Sequence, residues 1–548
     1  MSNSLLARGL KKIRRRQDRQ QKQALRGKYR EYYETLPVDP DTVILEARNG
    51  RAIDGNIYYI LKELLQSAEY AQRALYVVTE NEAAEETIRR KTGRLAGAQR
   101  IRFVRLHSED YYRVMASAGF IINDASIPNF FIKKDGQIYL NVWHGTPLKT
   151  MGRKVSHEPH ATGNVQKNFI IADYLLYPSD YMMEHMIEDY MIADLSTAQI
   201  LMGGYPRNSV FFDDAGRQKI RETAAPAGER IYAYMPTWRP SLMGEALQGV
   251  LAKVEDLLNE DEIMYVNVHP LAEETVDFTA FERVRPFPRE YETYEFLNIA
   301  DGLLTDYSSV FYDFAVTGRK IVLLTYDEEE YFATRGLYEP ISSLPFPQVQ
   351  TEEEAVSQLR TAKEYDDGPF LQKYCRYEGP EAAEMLCREV LLREHGMEHR
   401  SMPGNGRPNI LVYGGDLSDE KRAEETIGYL AGLDPEEANV FLTFNRADLK
   451  ESYPILFDLP EGIDYIGRAG AMWLTSAQQE IKERYEKGKI SFDEYWKSLR
   501  PAFALERKRF YGDMRIDEVI QIPAGREPGP GCSKEELEFS TYGRERRS

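Results

Sequence analysis

The stretch "LTDYSSVFYDFA" (304–315) changes character in its middle. The apolar run that feeds it, "IADGLL" (299–304), has the length and content of a buried strand. Four polar residues follow, Thr305, Asp306, Ser308 and Ser309, and then a run with helical apolar spacing begins. A strand that ends in hydroxyls and one carboxylate and turns at once into a helix is the signature of an α/β sheet. In open sheets of that kind, ligands sit at the carboxyl ends of the strands.

The neighbouring sequence repeats the pattern. "RIYAYMP", "IMYVNVHP" and "RKIVLLT" read as strands, and "LQGVLAKVEDLLN" as a helix between two of them. From about residue 41, "TVILEA", "ALYVVT", "RIRFVRL", "GFIIND" and "IYLNVW" alternate with helical stretches such as "NIYYILKELLQSA". Apolar strands separated by amphipathic helices predict parallel sheets with helices on both faces. The alternation restarts after about residue 160, where "DYLLYP" and "AQILMG" begin a second doubly wound domain.

The expected organisation is therefore a basic helix over 1–40, one Rossmann-like domain over 41–160 and a second over 161–395. A linker over 396–407, a partial α/β unit over 408–521 and a disordered tail over 522–548 complete it.

At 548 residues the chain exceeds what one core holds. The net charge of −18 argues against nucleic-acid binding, yet residues 1–30 hold eleven Lys or Arg and one acidic residue. A basic arm on an acidic body suggests an anionic partner; the segment reads either as a plain solvated or coiled helix or as a helix resting on anionic lipid. No run approaches the 18 apolar residues of a membrane span, and the first residues lack the apolar segment of a signal peptide. Three cysteines, Cys375, Cys387 and Cys532, have neither metal-ligand nor disulfide-framework spacing, which fits a reducing cytoplasm.

Polar cargo recurs at strand ends. "WHGTPLKTMGR" (143–153) carries His144, Thr146 and Lys149; "GYPRNSVF" (204–211) carries Arg207. "PTWR" (236–239) carries Thr237 and Arg239, and "VNVHPL" (266–271) carries His269. With Ser308, Ser309 and Asp306 these supply hydroxyls, guanidinium groups, imidazoles and helix N-termini, a set suited to pyrophosphate. Several have a plainer alternative, and for His144 it is a purely structural role. Asp306 or Ser308 alone would cap the next helix, His269 would be an edge residue before Pro270, and Arg207 a surface charge. Five strand ends with one style of cargo weigh against capping alone, while the plainer readings of His269 and Arg207 stay open. "HEPH" (157–160) is a poor metal site because Pro159 opposes a helix, and no P-loop, GxGxxG or GxSxG pattern is present.

Taken together, "WHGTPLKTMGR", "GYPRNSVF", "PTWR", "VNVHPL" and "LTDYSSVFYDFA" resemble the CDP-glycerol glycerophosphotransferase family, over roughly 41–395. That family includes teichoic-acid glycerolphosphate polymerases, primases and ribitolphosphate relatives. The resemblance implies a GT-B-like architecture of two facing Rossmann-like domains, the second holding CDP-glycerol and the first a lipid-linked polyol-phosphate acceptor, with CMP released. His144 would be the general base and His269 a second catalytic group. Thr237, Arg239, Ser308, Ser309 and Arg207 would face the donor phosphates, with Asp306 orienting a neighbour or bonding a donor hydroxyl. Lys149 and Thr146 fall on the acceptor side. The basic first helix resembles members on the cytoplasmic face of the membrane. No dedicated metal cluster is expected, although a Mg²⁺ carried by the donor's phosphates would leave little trace.

CDP-ribitol or another CDP-polyol stays open as donor. A nucleotide-sugar glycosyltransferase and a non-catalytic assembly protein of the same fold are the other classes. Residues 408–521 resemble the start of a further transferase-like unit without a partner half, in a chain either naturally short or truncated.

Overall fold

A computed structural model describes residues 24–522 apart from 156, 240–241, 329–335 and 450–451. Its described strands form three sheets. The first has eight strands, in the spatial order Glu398–Ser401, Gln199–Met202, Tyr174–Tyr177, Ile138–Asn141, Ala118–Asn123, Asp39–Glu46, Ala74–Thr79 and Ile101–Arg105. All pairings are parallel except that of Glu398–Ser401 with Gln199–Met202. The second has six parallel strands, ordered Val284–Pro286, Glu262–Val266, Arg230–Met235, Gly302–Thr305, Lys320–Leu324 and Gln348–Val349. Central strands of both are apolar on both faces, as sheets covered by helices on each side require; Leu303, Leu304, Ile321 and Val322 are fully buried.

The expected break at residue 160 is displaced. Tyr174–Tyr177 and Gln199–Met202 extend the first sheet, so the chain leaves that sheet only after residue 202. Strand composition says that a strand is buried, not which sheet it joins. The chain also comes back: helices Gly368–Tyr374 and Ala382–Cys387 pack on the first domain, against Asp180–Asp189 and Asn56–Gln66 respectively. Arg73 Nη2 fixes the end of this return by donating to the Leu391 carbonyl (3.1 Å).

The predicted linker is partly a strand. Glu398–Ser401 closes the otherwise unpaired edge at Gln199–Met202, with His399 opposite Leu201. Its polar side chains suit an edge, where one face meets water.

The third sheet, ordered Ile463–Arg468, Asn439–Asn445, Asn409–Tyr413 and Glu518–Gln521, is parallel and docks on the first domain. Gln166 Nε2 donates to the Tyr465 carbonyl (2.8 Å). Gly163 lies so close to Gly467 that a Cβ there would stand 2.1 Å from its carbonyl oxygen. Buried Arg509 donates to the carbonyls of Asn129 (2.7 Å) and Ala469 (2.8 Å), one on each side of the junction.

Residues 24–35 form a helix that belongs to the packed body. Tyr29 is fully buried, its ring 4.7 Å from Phe130 and 5.8 Å from Trp473, and its hydroxyl accepts the Ile132 N–H (3.0 Å). The expected basic helix over 1–40 thus divides: 24–35 are docked, the first strand already begins at Asp39, and 1–23 lie outside the described residues. Of the expected tail 522–548, Ile522 is buried in the third core and 523–548 lie outside the described residues.

Candidate active site

The loop after strand Ile138–Asn141 is held in an unusual shape. Trp143 has φ +48°, costly for a bulky residue, and Gly145 has φ +149°, where a side chain is rarely tolerated. The surroundings enforce this. Asn141 Oδ1 accepts the Trp143 N–H (3.0 Å), and Asn56 Nδ2 donates to the Trp143 carbonyl (3.1 Å). A Cβ on Gly145 would meet Arg207 Nη2 at 3.2 Å. The result is that His144 stands out from the loop, its ring against the Trp143 indole with centroids 4.1 Å apart.

His144 Nδ1 is 2.8 Å from the Asp124 carbonyl oxygen. A carbonyl only accepts, so Nδ1 carries the proton and Nε2 keeps its lone pair. The pKa is lowered to about 4 by the protein crowded around the cleft floor, opposed by the Asp124 bond and reinforced by the positive charges of Arg207 and Arg48. The ring nevertheless opens to solvent. Neutral at pH 7 with its free nitrogen outward, it has the form a general base needs.

A cleft of about 380 Å³ opens in front of it, lined from the first domain by His144, Thr146 and Lys149 and from the second by Tyr307 and Ser309. Gly336 adds a further wall, where the chain crosses back as a short antiparallel bridge between Lys149 and Leu337. Ser309 is the N-cap of helix Val310–Ala315 but makes no side-chain capping bond, so its hydroxyl remains for the cleft. That helix runs six residues. Its dipole is therefore small, and the hydroxyls and backbone N–H groups carry more of the anion-binding potential than the expected longer helix would leave them.

Asp306 is an organiser. It is 2% exposed, accepts the Thr237 N–H on Oδ1 (2.8 Å) and pairs through Oδ2 with Arg239 Nη1 (3.1 Å). Burial raises its pKa and Arg239 opposes that rise. Arg239 also pairs with Asp327 (3.3 Å) and donates to Tyr326 Oη (2.9 Å). Its guanidinium is thus shared between two carboxylates rather than presented bare to a phosphate, a more structural position than the sequence suggests.

His269 follows strand Glu262–Val266 and is exposed, its ring 5.7 Å from that of Trp238. The Leu271 N–H donates to its Nδ1 (3.3 Å), so the neutral ring carries its proton on Nε2. The two histidines therefore have opposite tautomers: His144 offers a lone pair and His269 an N–H.

Arg207 is placed differently from the expectation. It follows a strand of the first sheet, is 3% exposed, and is spent on Asp313 of the second domain. Its Nη1 donates to the His144 carbonyl (2.7 Å). It supports the site from behind and does not line the cleft. Thr146 and Lys149 do line it, and Ser308 is half-buried beside Ser309. Sequence reading missed Asp313, Tyr307 and the exposed Trp238. A lone carboxylate inside the apolar run "VFYDFA" was a legible sign of a buried ion pair.

The sequence profile of the family described as CDP-glycerol:poly(glycerophosphate) glycerophosphotransferase matches residues 29–392. The chain belongs to this family. Among similar proteins, the teichoic acid poly(glycerol phosphate) polymerase of Bacillus subtilis (strain 168) is 27% identical over 391 residues, 66% of this chain and 50% of that protein. The chain thus spans about half the length of that relative. The teichoic acid glycerol-phosphate transferase of Staphylococcus aureus (strain NCTC 8325 / PS 47) is 28% identical, over 53% of this chain and 80% of its own. A solved structure of the wall teichoic acid polymerase TagF, a histidine variant soaked with CDPG, superimposes with TM-score 0.57 at 22% identity, covering 67% of this chain and 93% of that one. The last likeness shows the fold: two facing Rossmann-like domains, GT-B-like, as expected. The match to the family profile ends before the third sheet.

Proposed function

We propose that this glycerophosphotransferase-family chain transfers glycerol phosphate from CDP-glycerol to a hydroxyl of a lipid-linked, teichoic-acid-type or capsular acceptor, releasing CMP. The observation that carries the reading is His144: a neutral imidazole, fixed through Nδ1, with Nε2 free at the floor of a cleft walled by both domains. An acceptor hydroxyl is far too weak an acid to ionise at neutral pH and needs such a base.

In the proposed step, the acceptor oxygen bonds to the phosphorus of the glycerol phosphate. The bond from that phosphorus to the bridging oxygen breaks, and its electron pair leaves on CMP. His144 Nε2 takes the acceptor's proton. Charge growing on the non-bridging and leaving oxygens would meet the Ser309 hydroxyl in the cleft, with His269, Ser308 and the Thr237 segment that Asp306 and Arg239 hold in place as further proposed donors from strand ends outside the cleft lining. A positioned base contributes about 10²–10⁴ in rate, and one preorganised donor about 10²–10³. Lys149 and Thr146, from the His144 loop, fall to the acceptor side.

The membrane-facing part of the proposal rests on the charge of the first residues. Among the described residues, no helix is long and apolar enough to cross a membrane. Attachment to the inner face would then be electrostatic, through the basic segment 1–23.

The test is nucleotide release from CDP-glycerol, CDP-ribitol and a panel of UDP-sugars, with a lipid-linked glycerophosphate acceptor. CMP from CDP-glycerol alone supports the reading. CMP from CDP-ribitol alone moves the donor to ribitol. UDP alone refutes polyol-phosphate transfer, and no turnover by the folded protein points to a non-catalytic role.

A further inference from the structure

Three ligating side chains converge within residues 389–399, and none of them lines the cleft. Glu389 lies in the turn Arg388–Leu392 that ends the return to the first domain, and its side chain is 0% exposed. Its Oε2 accepts two backbone N–H groups, from Gly396 (2.8 Å) and Met397 (3.1 Å). This fixes the carboxylate and turns Oε1 toward two imidazoles. His395 Nδ1 stands 2.9 Å from Oε1 and His399 Nε2 2.8 Å from the same oxygen. The three ligand atoms lie within 4.8 Å of one another.

We propose that Glu389, His395 and His399 form a Zn²⁺ site, with one carboxylate oxygen, two imidazole nitrogens and solvent completing a tetrahedron. The two ring nitrogens are N–H donors to one carboxylate oxygen, and loss of those protons would turn both lone pairs toward one shared cation. The set of two nitrogens and one oxygen matches the ligands Zn²⁺ takes at about 2.0–2.2 Å. Tetrahedral ligands at that distance stand roughly 3.3 Å apart, so each ring nitrogen would withdraw from Oε1 by only about half an ångström. His395 is free to do so because its side chain is 73% exposed. His399, 28% exposed, is anchored by the pairing of its strand with Leu201. The backbone N–H bonds to Oε2 supply the outer support that metal-binding carboxylates ordinarily have.

The site ties three places together: the end of the returning helix, the turn after it, and the edge strand that leads to the third sheet. Its role would be to pin that handover. The inference does not depend on the transferase reading.

The experiment uses tag-free full-length protein stripped with a chelator. Zn²⁺ is titrated by calorimetry and Co²⁺ by visible absorption, for wild type, His395→Ala, His399→Ala and the double variant. Expected are one saturable Zn²⁺ per wild-type chain, a tetrahedral Co²⁺ spectrum, and a rise in Tm on Zn²⁺ addition. Each single variant weakens binding about tenfold or more and the double variant abolishes it. Circular dichroism without metal checks that the variants fold; Glu389 is left intact because its buried hydrogen bonds hold the turn. No stoichiometric binding by wild type, or unchanged binding by the double variant, overturns the proposal and leaves a hydrogen-bonded clasp.

Discussion

Arg207 and Asp313 join the two facing domains through a buried, bidentate ion pair. Nε lies 3.1 Å and Nη2 2.8 Å from Oδ1, and Nη2 is 2.9 Å from Oδ2. Both side chains are under 5% exposed. Tyr294 Oη donates to the same carboxylate (2.9 Å), and the remaining guanidinium nitrogen holds the His144 carbonyl. One arginine therefore couples the position of the candidate base to the helix that follows the "TDYSS" turn.

Removing one partner of that pair strands a buried charge. Arg207→Met or Asp313→Leu alone is expected to cost about 3–5 kcal/mol, measured by urea unfolding. The double variant should be markedly more stable than the sum of the two. Strict additivity would show that the residues are uncoupled in solution.

His144→Ala should lower kcat by about 10²–10⁴ while calorimetry finds donor affinity nearly unchanged. His269→Ala should lower kcat by about 10²–10³, as loss of a donor rather than a base. Equal loss of donor binding and turnover in His144→Ala would remove its assignment.

The pH profile follows from the same ring. Its pKa is lowered to about 4, so the lone pair is present down to acidic pH. The acid limb of kcat/KM should fall well below the ordinary histidine value of about 6.5. Stability linked to this ring is present above that unfolded value and lost as pH falls toward the folded one. Two carboxyls act in the opposite sense. Burial raises Glu46 and Glu378 each to about 8. Their contribution is full below about pH 4.5 and lost as pH rises through 8. Glu46→Gln and Glu378→Gln should flatten the decline in stability between pH 5 and 8, read from Tm across buffers. An unchanged slope would assign it elsewhere.

Gly163 has no room for a side chain beside the Gly467 carbonyl. Gly163→Ala is expected to weaken docking of the third sheet by about 1–3 kcal/mol, seen as earlier proteolysis within 408–521. Transfer activity should persist, because the cleft is walled by the first two sheets.

Deleting residues 1–23 removes eight Lys or Arg and one Asp but leaves the docked helix intact. Binding to anionic vesicles should fall, and for the full chain it should weaken with salt. Equal binding by both chains would refute a membrane role for the segment.

Most strands were legible because each is a short apolar run bounded by polar residues. Their grouping was not: "DYLLYP" reads alike in either sheet, and only the free edge beside Ile138–Asn141 decides where it goes. Glu398–Ser401 escaped notice because a polar strand carries no apolar signal. His144, Ser309 and Asp306 were legible as polar residues at strand ends. The position of Arg207 was not, since its partner lies 106 residues away in sequence.

The return of the chain to its first domain has a consequence for biosynthesis. Domains generally fold as units, N-terminal first, as they are made. Here the eight-stranded sheet begins first yet cannot close until Glu398–Ser401 has been synthesised, whereas the strands of the second sheet are complete by Val349. The inner domain is thus free to finish on the ribosome ahead of the outer one. Until Ala382–Cys387 follows, the side of Asn56–Gln66 that it covers stays open, while the rest of that helix already rests on Asp39–Glu46 and Pro206–Phe212.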